Sequence, residues 1–533
     1  MRILGQNTLC GAALVRRLLA ATALVSLCHS ASADTALYEA TRANDSTSAF
    51  ALLENRETSV DVNEPAPDGT TPLHWAVYHD NAPLVEALIA AGASPDVRNE
   101  YGATVIGEAA TVGNAAIITA LIEAGVDVDT PGADGETPLM VVARSSNIEA
   151  ARVLLEAGAD VNAREAWRAQ TAAMWAAAQR QPQMLRLLLE FGAQVDARSA
   201  VNDWPRQVTA EPRRMYRPFG GLTPLMFAAR EGCADCALAL IEAGASVDLA
   251  DPKNVTPLFL AVDNFHFDTA KVLIEAGADV NKWDWQGRTP LYSAVDLNTL
   301  PRGGRADRPT IDATSALDIV RLLLAAGANV NAQLKMYPLW RHIGDDRGCD
   351  QLLTTGATPL LRAAKTFDVD AMRVLIENGA MLDLPNDGGI TPLMAAAGYG
   401  SLECDPRGYG GGIPQYLSAD VEAASIRALE VLVEAGADID ARTTSGRAGA
   451  LAPGRTAIFG AAFWGWNDVA EFLIDNGAQI DVADETGLTA YDSAMGRAGG
   501  HGRGATIEVF EDTAQLLRER CAVSDGCNVE LLR

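Results

Sequence analysis

The sequence predicts an all-α solenoid of about twelve helix-pair repeats with finger loops and several insertions. Threonines recur with a period of 33 residues over much of the chain, as at Thr71, Thr104 and Thr137. An Ala-Gly-Ala segment such as Ala91-Gly92-Ala93 follows most of these threonines by about 20 residues. The apolar residues between the threonine and the Ala-Gly-Ala segment have helical spacing. A fixed period in this range indicates a stacked array in which every repeat is one small helical unit.

The first helix of each repeat is expected to begin at a threonine. The anchoring threonines are Thr71, Thr104, Thr137, Thr171, Thr223, Thr256, Thr289, Thr358, Thr391, Thr456 and Thr489. A threonine side chain can accept hydrogen bonds from the free N–H groups of the first turn, and a following proline fits there because it needs no donor. Thr104, Thr171, Thr456 and Thr489 lack that proline, so their helices should start less rigidly.

The second helix of each repeat follows after a short turn. In the segment 83–89, Leu84, Val85, Leu88 and Ile89 form one apolar stripe. Gly92 is expected to end this helix in a left-handed conformation. Polar residues such as those at 160–162 then lead into a finger-like loop before the next threonine. Because such a helix pair cannot bury its own apolar faces, neighbouring repeats must stack to form a core.

These marks resemble the ankyrin repeat, and the resemblance covers essentially all of residues 34–520. It implies a protein that binds another protein, with the finger loops and concave face as the contact surface. It also implies a structural hydrogen bond across repeats for His74. The chain further resembles a group of bacterial secreted ankyrin-repeat proteins through the stretches 231–236 and 283–285. No activity is known to us that this likeness would carry over.

The first 33 residues are predicted to be a secretory signal peptide. Arg16 and Arg17 precede the apolar run 18–28, and Ala31-Ser32-Ala33 offers a cleavage site. The run is too short to span a bilayer, so the mature chain is expected to lack a transmembrane segment. We therefore expect export, to the periplasm or out of the cell. The arginine pair leaves both the general and the twin-arginine routes open.

The charge of the chain argues against a nucleic-acid ligand. The formal charge is −27, and the predicted signal peptide contains three arginines and no acid, so the mature charge would be −30. Such an acidic protein repels phosphate backbones. We expect a soluble, monomeric protein that has a protein partner.

The regular array has predicted insertions and a predicted tail. A first repeat without the Thr-Pro start occupies 34–66, and regular copies run from about 67 to 197. Insertions are expected near 198–219, 300–312, 333–354, 402–418, 443–453 and 496–505, with a non-repetitive tail at 521–533. Function tends to reside in such loops because the scaffold tolerates them.

Two long fingers, at 198–219 and 333–354, and a shorter one between them are rich in basic and aromatic residues. The candidate partner-binding residues are Trp204, Arg213, Arg214, Tyr216, Trp283, Trp285, Trp340 and Arg341. Arginine, tryptophan and tyrosine are enriched at binding hot spots. The three fingers share one topological position, so they are expected to project from one edge of the solenoid. The alternative is that these rings only pack the long loops onto the repeats.

Six cysteines remain after the predicted cleavage. An even number in an exported protein favours disulfides, and we expect the pairs Cys233–Cys236, Cys349–Cys404 and Cys521–Cys527. The Cys-x-x-Cys spacing of the first pair also occurs in redox and metal sites. A zinc site would need two further ligands, and no second pair of that spacing lies nearby. A local disulfide is the favoured interpretation.

No catalytic motif stands out in the sequence. The histidines are scattered without metal spacing, no Gly-x-Ser-x-Gly motif occurs, and the glycine runs at 408–412 and 499–504 follow no strand. The sequence thus predicts a non-catalytic protein-interaction scaffold of the cell envelope, without cofactor or metal. Two alternatives stay open: a redox-accessory or enzyme-like protein with its site in the insertions, and a small-ligand receptor with an aromatic pocket.

Overall fold

The computed structural model describes residues 33–55, 60–202, 219–285, 287–298, 312–335, 355–399, 419–444, 452–497 and 509–533. Within them, 24 α-helices follow one another as twelve pairs, and the only regular strands are two short ones. The prediction of an all-α solenoid is confirmed. The chain divides into two compact units, Met1–Ala245 and Ser246–Arg533.

The first unit contains six helix pairs. They are α1 (Ala33–Arg42) with α2 (Ser46–Glu54), α3 (Pro72–Tyr78) with α4 (Ala82–Ala90), α5 (Val105–Val112) with α6 (Ala115–Glu123), α7 (Pro138–Ala143) with α8 (Ile148–Glu156), α9 (Ala172–Ala178) with α10 (Pro182–Glu190), and α11 (Pro224–Glu231) with α12 (Ala234–Glu242). Strands β1 (Val201–Asn202) and β2 (Phe219–Gly220) pair antiparallel before α11, with Val201 opposite Gly220.

The second unit also contains six helix pairs. They are α13 (Pro257–Asp263) with α14 (Phe267–Glu275), α15 (Pro290–Asn298) with α16 (Ala316–Ala325), α17 (Pro359–Lys365) with α18 (Val369–Glu377), α19 (Pro392–Ala396) with α20 (Ala419–Ala435), α21 (Ala457–Trp464) with α22 (Asn467–Asp475), and α23 (Ala490–Ala494) with α24 (Glu511–Val523). A 3-10 helix, Val529–Leu531, follows. Helix α24 crosses residue 520, where the sequence placed the start of the tail.

Threonines cap most first helices as the sequence predicts; Thr456 is an exception, because its side chain makes no cap hydrogen bond. Thr223 Oγ1, for example, accepts a hydrogen bond from the backbone N–H of Met226 at 3.3 Å. A helix still begins after Thr104, which lacks the proline, and this threonine accepts from Gly107 at 3.1 Å. The cap is therefore enough to start the helix without the preset proline φ.

His74 caps its own helix. Its Nδ1 lies 3.2 Å from the Thr71 backbone nitrogen and 2.9 Å from Thr71 Oγ1. These two hydrogen bonds stay within one repeat. Burial lowers the pKa of His74, and a hydrogen bond with the backbone of Ala103, in the next repeat, partly opposes that shift. His74 thus contributes to the cap and to the contact with its neighbour.

Glycine ends the second helices. Gly92 has a φ of 94°, which confirms the predicted left-handed residue after α4. The chain then turns back, and Leu84, Val85 and Leu88 of that helix are fully buried, while Ile89 is only half-buried. Within each unit, first helices pack on first helices and second helices on second helices, as α3 does on α1 and α5. The core therefore runs along the stack, and no single repeat has a core of its own.

Candidate functional site

Each short finger is a tight turn that one polar side chain holds. At Asn99, the side-chain oxygen accepts hydrogen bonds from the backbone N–H groups of Tyr101 (3.0 Å) and Ala103 (2.9 Å). Gly102 closes the turn with a φ of 78°, where a side chain would be strained. The same pair of acceptor contacts recurs at Asp251, Asn386 and Asp484. Because this cap fixes the backbone, the turn does not depend on the side chains of the two residues at its tip.

Neighbouring finger tips are joined through their backbones. In the first unit, the N–H of Glu100 donates to the carbonyl of Asp68 at 2.8 Å. In the second unit, the N–H of Trp285 donates to the carbonyl of Lys253 at 3.0 Å. These bonds hold the tips of adjacent fingers in a row within each unit. A partner that lies along such a row would meet pre-ordered side chains, which lowers the entropy cost of binding.

Exposed aromatic rings concentrate on the fingers. Among the described residues, six aromatic side chains are strongly exposed, and five of them lie on fingers: Tyr101 (74% exposed), Trp167 (71%), Phe219 (59%), Trp285 (44%) and Trp283 (42%). The sixth, Phe191, follows a second helix. Large exposed aromatic rings are unfavourable in water, and protein-binding surfaces are enriched in them.

Two of the predicted binding residues lie in the described part of the chain, on one finger of the second unit. The Nζ of Lys335, on the next finger, lies 3.2 Å from the ring centre of Trp283. Trp283 is therefore partly engaged in a contact between fingers, whereas Trp285 lies at the tip itself. Six predicted residues fall outside the described residues: Trp204, Arg213, Arg214, Tyr216, Trp340 and Arg341.

Tyr101 and Trp167, the two most exposed aromatic rings on the fingers, are not among the residues predicted from the sequence. The prediction was drawn from the basic and aromatic residues of the long insertions and of the finger at 283–285, whereas both rings lie on other short, regular fingers. A usable signal was present, because Tyr101 is the second residue after the turn-capping Asn99, and Trp167 the second after Glu165. Glu165 accepts hydrogen bonds from the backbone N–H groups of Trp167 and Arg168. An aromatic residue at that turn position has to face solvent.

On the first helices of the first unit, one position is half-buried in four of five repeats. We call this the inner-helix row; it consists of the fourth residue after each threonine: Trp75, Glu108, Val141, Trp175 and Phe227. Trp75, Glu108, Val141 and Trp175 are half-buried, while Phe227 is buried. Arg144 places its guanidinium carbon 4.3 Å from the ring centre of Trp175. The row offers apolar surface with a single carboxylate.

The equivalent positions in the second unit are mostly buried, and Arg362 is the one that carries a charge; other buried polar groups lie near them. Arg362 and Asp296 form an ion pair between α17 and α15, and both are 1% exposed. Arg288 contacts Asp284 at 2.8 Å and Asp263 at 2.9 Å. Burial raises the pKa of Tyr399 to about 12, so this phenol stays protonated at neutral pH. These positions stabilise the repeats and leave little surface for a partner.

Two cysteine pairs lie within the described residues. The sulfurs of Cys233 and Cys236 are 2.02 Å apart at the start of α12, and those of Cys521 and Cys527 are 1.96 Å apart at the end of α24. Cys233 and Cys236 are 5% and 0% exposed, so a substrate thiol would have poor access to them. Cys349 and Cys404 fall outside the described residues.

Searches for two other kinds of site gave no candidate in the described part of the chain. No group of three or more His, Cys, Asp or Glu side chains there is arranged to hold a metal ion. None of the helices described is both long and apolar enough to cross a membrane. The candidate binding surfaces are therefore the fingers and the inner-helix row.

A sequence profile for ankyrin repeats, in three copies, matches the chain at 9–99, 73–165, 106–199, 165–251, 225–334 and 316–404. These overlapping matches run from residue 9 to residue 404, well over half of the 533 residues. The chain belongs to the ankyrin-repeat family. Ankyrin repeats generally mediate protein–protein interactions and are typically non-catalytic.

Solved ankyrin-repeat structures resemble parts of this ankyrin-repeat protein. The human ASB11 ankyrin repeat domain is 21% identical, with a TM-score of 0.38, and the match covers 46% of this chain and 98% of that one. The ankyrin repeat domain of Bcl-3, described as a unique member of the IkappaB protein family, is 24% identical, with a TM-score of 0.36, covering 42% and 93%. No curated protein matches the chain.

Proposed function

We propose that this ankyrin-repeat protein is an exported, non-catalytic scaffold that binds a protein partner through its finger tips. One observation carries the proposal: five of the six strongly exposed aromatic rings in the described residues lie on fingers. If the fingers only packed the repeats together, their rings would be covered, because covering an aromatic ring is favourable by about 2 kcal/mol or more. Leaving them in water is consistent with a partner that covers them.

The finger tips have the properties of binding hot spots. Their backbones are held by side-chain caps and by bonds between neighbouring tips, so little order is lost when a partner docks. In the first unit the proposed contacts are Tyr101, Trp167 and Phe219; in the second they are Trp283 and Trp285. The remaining proposed contacts are the basic and aromatic residues of the long fingers, namely Trp204, Arg213, Arg214, Tyr216, Trp340 and Arg341.

Tip variants test the proposal directly. Wild-type protein and the variants Trp167→Ala and Trp285→Ala would be used to capture partners from an envelope extract, and the protein retained by wild type would be purified and titrated. Each tip variant should lose about 2 kcal/mol or more of affinity while its melting temperature stays near wild type. Phe191→Ala is the matched control, because that exposed ring is not on a finger. Unchanged affinity together with a lower melting temperature would show that the rings serve packing.

We propose the cell envelope, and within it the periplasm, as the location of the protein. The support is the predicted signal peptide at residues 1–33, which falls almost wholly outside the described residues. N-terminal sequencing of the mature protein should begin at Asp34. Retention of Met1 in the folded, exported product would contradict both the cleavage site and the export signal.

A further inference from the structure

Glu108 is the one acid in the inner-helix row of the first unit. It lies on the outward side of α5 together with Gly107 and Thr111, while Val105, Ile106, Ala109 and Ala110 of the same helix are buried. The structure gives its carboxylate no hydrogen bond or ion pair among the described residues. Burial alone raises its pKa, with no neighbouring charge to oppose the shift. A half-buried carboxylate without a counter-charge costs free energy, although its place in the first turn of a helix offsets part of that cost.

The cations along the same face are engaged elsewhere. Arg144, the residue after α7, lies 3.7 Å from Glu136 and stacks on Trp175. Arg230 on α11 contacts Glu231 at 2.8 Å, and its guanidinium carbon lies 4.8 Å from the ring centre of Phe227. Each of these arginines already has a carboxylate and an aromatic ring, so neither is available to Glu108. In two repeats an arginine pairs with a carboxylate and stacks on an aromatic ring. The carboxylate of Glu108 has no such cation.

The residue before Glu108 is smaller than its counterparts in the neighbouring repeats. The third residue after the threonine is large in the neighbouring repeats, His74 before and Met140 after, but here it is Gly107. A Cβ atom built on Gly107 would meet Thr104 Oγ1 at 2.8 Å and no other described atom within 4 Å beyond its own helix and chain neighbours. Gly107 is half-buried and places no side chain beside the carboxylate. The row positions of the repeats on either side, Trp75 and Val141, are apolar and half-buried.

We infer that Glu108 forms an ion pair with a lysine or arginine side chain of the partner protein, whose aliphatic stem lies along the apolar side chains of the inner-helix row. The inference rests on the proposed function and specifies the chemistry of the partner. A cation from the partner would give Glu108 an ion pair, as Arg144 and Arg230 already have. Long basic side chains also cover apolar surface with their methylene groups. The acidic net charge of the chain, −27, would also speed the approach of a basic segment.

Peptide selection on the full-length protein tests this inference without knowledge of the partner. A random-peptide phage library would be panned on wild type, on Glu108→Gln, and on Glu123→Gln as the control, since Glu123 is exposed at the end of α6. Wild type and control should enrich peptides with a lysine or arginine at a fixed position next to an apolar residue. Synthetic peptides from that pool should bind Glu108→Gln about 10- to 100-fold more weakly and Glu123→Gln equally well.

The melting temperature of Glu108→Gln and a charge-reversal variant test whether misfolding explains weaker peptide binding. Glu108→Gln should melt at or above the wild-type temperature, because a neutral amide is cheaper to bury than an unpaired carboxylate. Glu108→Lys should shift the enriched residue at the fixed position to aspartate or glutamate. Equal binding to wild type and Glu108→Gln, or enrichment without a fixed basic position, would overturn the inference. If Trp167→Ala loses the wild-type partner while Glu108→Gln keeps it, only the inference fails and the finger-tip proposal stands.

Discussion

Asn162 and Gln194 connect two consecutive repeats: the side-chain oxygen of Asn162 accepts a hydrogen bond from the backbone N–H of Gln194 at 2.8 Å. The amide group of Asn162 donates in turn to the carbonyl of Gly192 at 3.2 Å. Both partners lie just after α10, where helical C=O groups lack helical donors. The same two bonds recur at Asn63, Asn281 and Asn331. A single asparagine thereby ties the segment after one second helix to the segment after the next second helix.

Replacing Asn162 by alanine should lower stability by about 1–2 kcal/mol, because two partly solvated hydrogen bonds are lost. Urea unfolding followed by circular dichroism measures the change. Gln183→Ala on the exposed side of α10 is the control, and it should leave the midpoint within experimental scatter. An Asn162→Ala midpoint equal to that of the control would show that the bonds between these loops contribute nothing to stability.

Asp129 occupies the position that asparagine takes elsewhere, and Asp129→Asn should stabilise the protein at pH 7. Its carboxylate accepts from the N–H of Asp160 but cannot donate to the next carbonyl. Burial raises the pKa of Asp129, and the charges of Asp160 and Asp127 raise it further. A raised folded-state pKa means that this group favours folding below its unfolded pKa of 3.8 and loses that contribution as the pH rises through the folded pKa. The charged form is therefore unfavourable at neutral pH.

At pH 7, Asp129→Asn should raise the free energy of unfolding by about 0.5–1 kcal/mol, because it adds one hydrogen bond and removes the repulsion between carboxylates. This gain should shrink as the pH falls below about 4, because the wild-type carboxyl is then neutral as well. Melting curves of both proteins at pH 7 and pH 3.5 measure the difference. Asp134→Asn, an exposed finger-tip change, serves as the control. A gain of the same size at both pH values would contradict the electrostatic explanation.

Asp296→Asn should be strongly destabilising, by about 3–5 kcal/mol, because it leaves the Arg362 guanidinium charged and buried without its partner. The comparison variant is Glu275→Gln, which breaks the exposed Lys271–Glu275 pair and should cost no more than about 0.5 kcal/mol. Hydrogen exchange of the amides in α15 and α17 reports the change locally. Equal protection in the two variants would show that the buried pair contributes no more than the surface one.

Non-reducing peptide mapping of the exported protein should recover three disulfides, Cys233–Cys236, Cys521–Cys527 and Cys349–Cys404. The first two are local and have bonded sulfurs in the structure. The third would close a long loop and stabilise the fold by roughly 3–4 kcal/mol if unstrained. Alkylation before digestion distinguishes free thiols from bonded ones. Labelled Cys349 and Cys404 in the native protein would reject the long-range pair.

Local interactions explain what the sequence determined by itself. The threonine caps, the left-handed glycines after the second helices and the polar caps of the fingers each join residues only a few positions apart. Their period therefore shows the order and approximate number of the helix pairs without a structure. Trp285 could be placed on a finger in the same way, because the turn that begins at Asp284 is a local element.

Only the tertiary structure decided which side chains the stacking leaves uncovered. Tyr101 and Trp167 are exposed because their repeats end in short fingers, while Trp283 is partly covered by Lys335 from the next finger. The pairing of Asp296 with Arg362 joins residues 66 positions apart, and the missing partner of Glu108 depends on where Arg144 points. Contacts between repeats depend on how whole helix pairs pack. A period of 33 residues indicates only that consecutive repeats are neighbours.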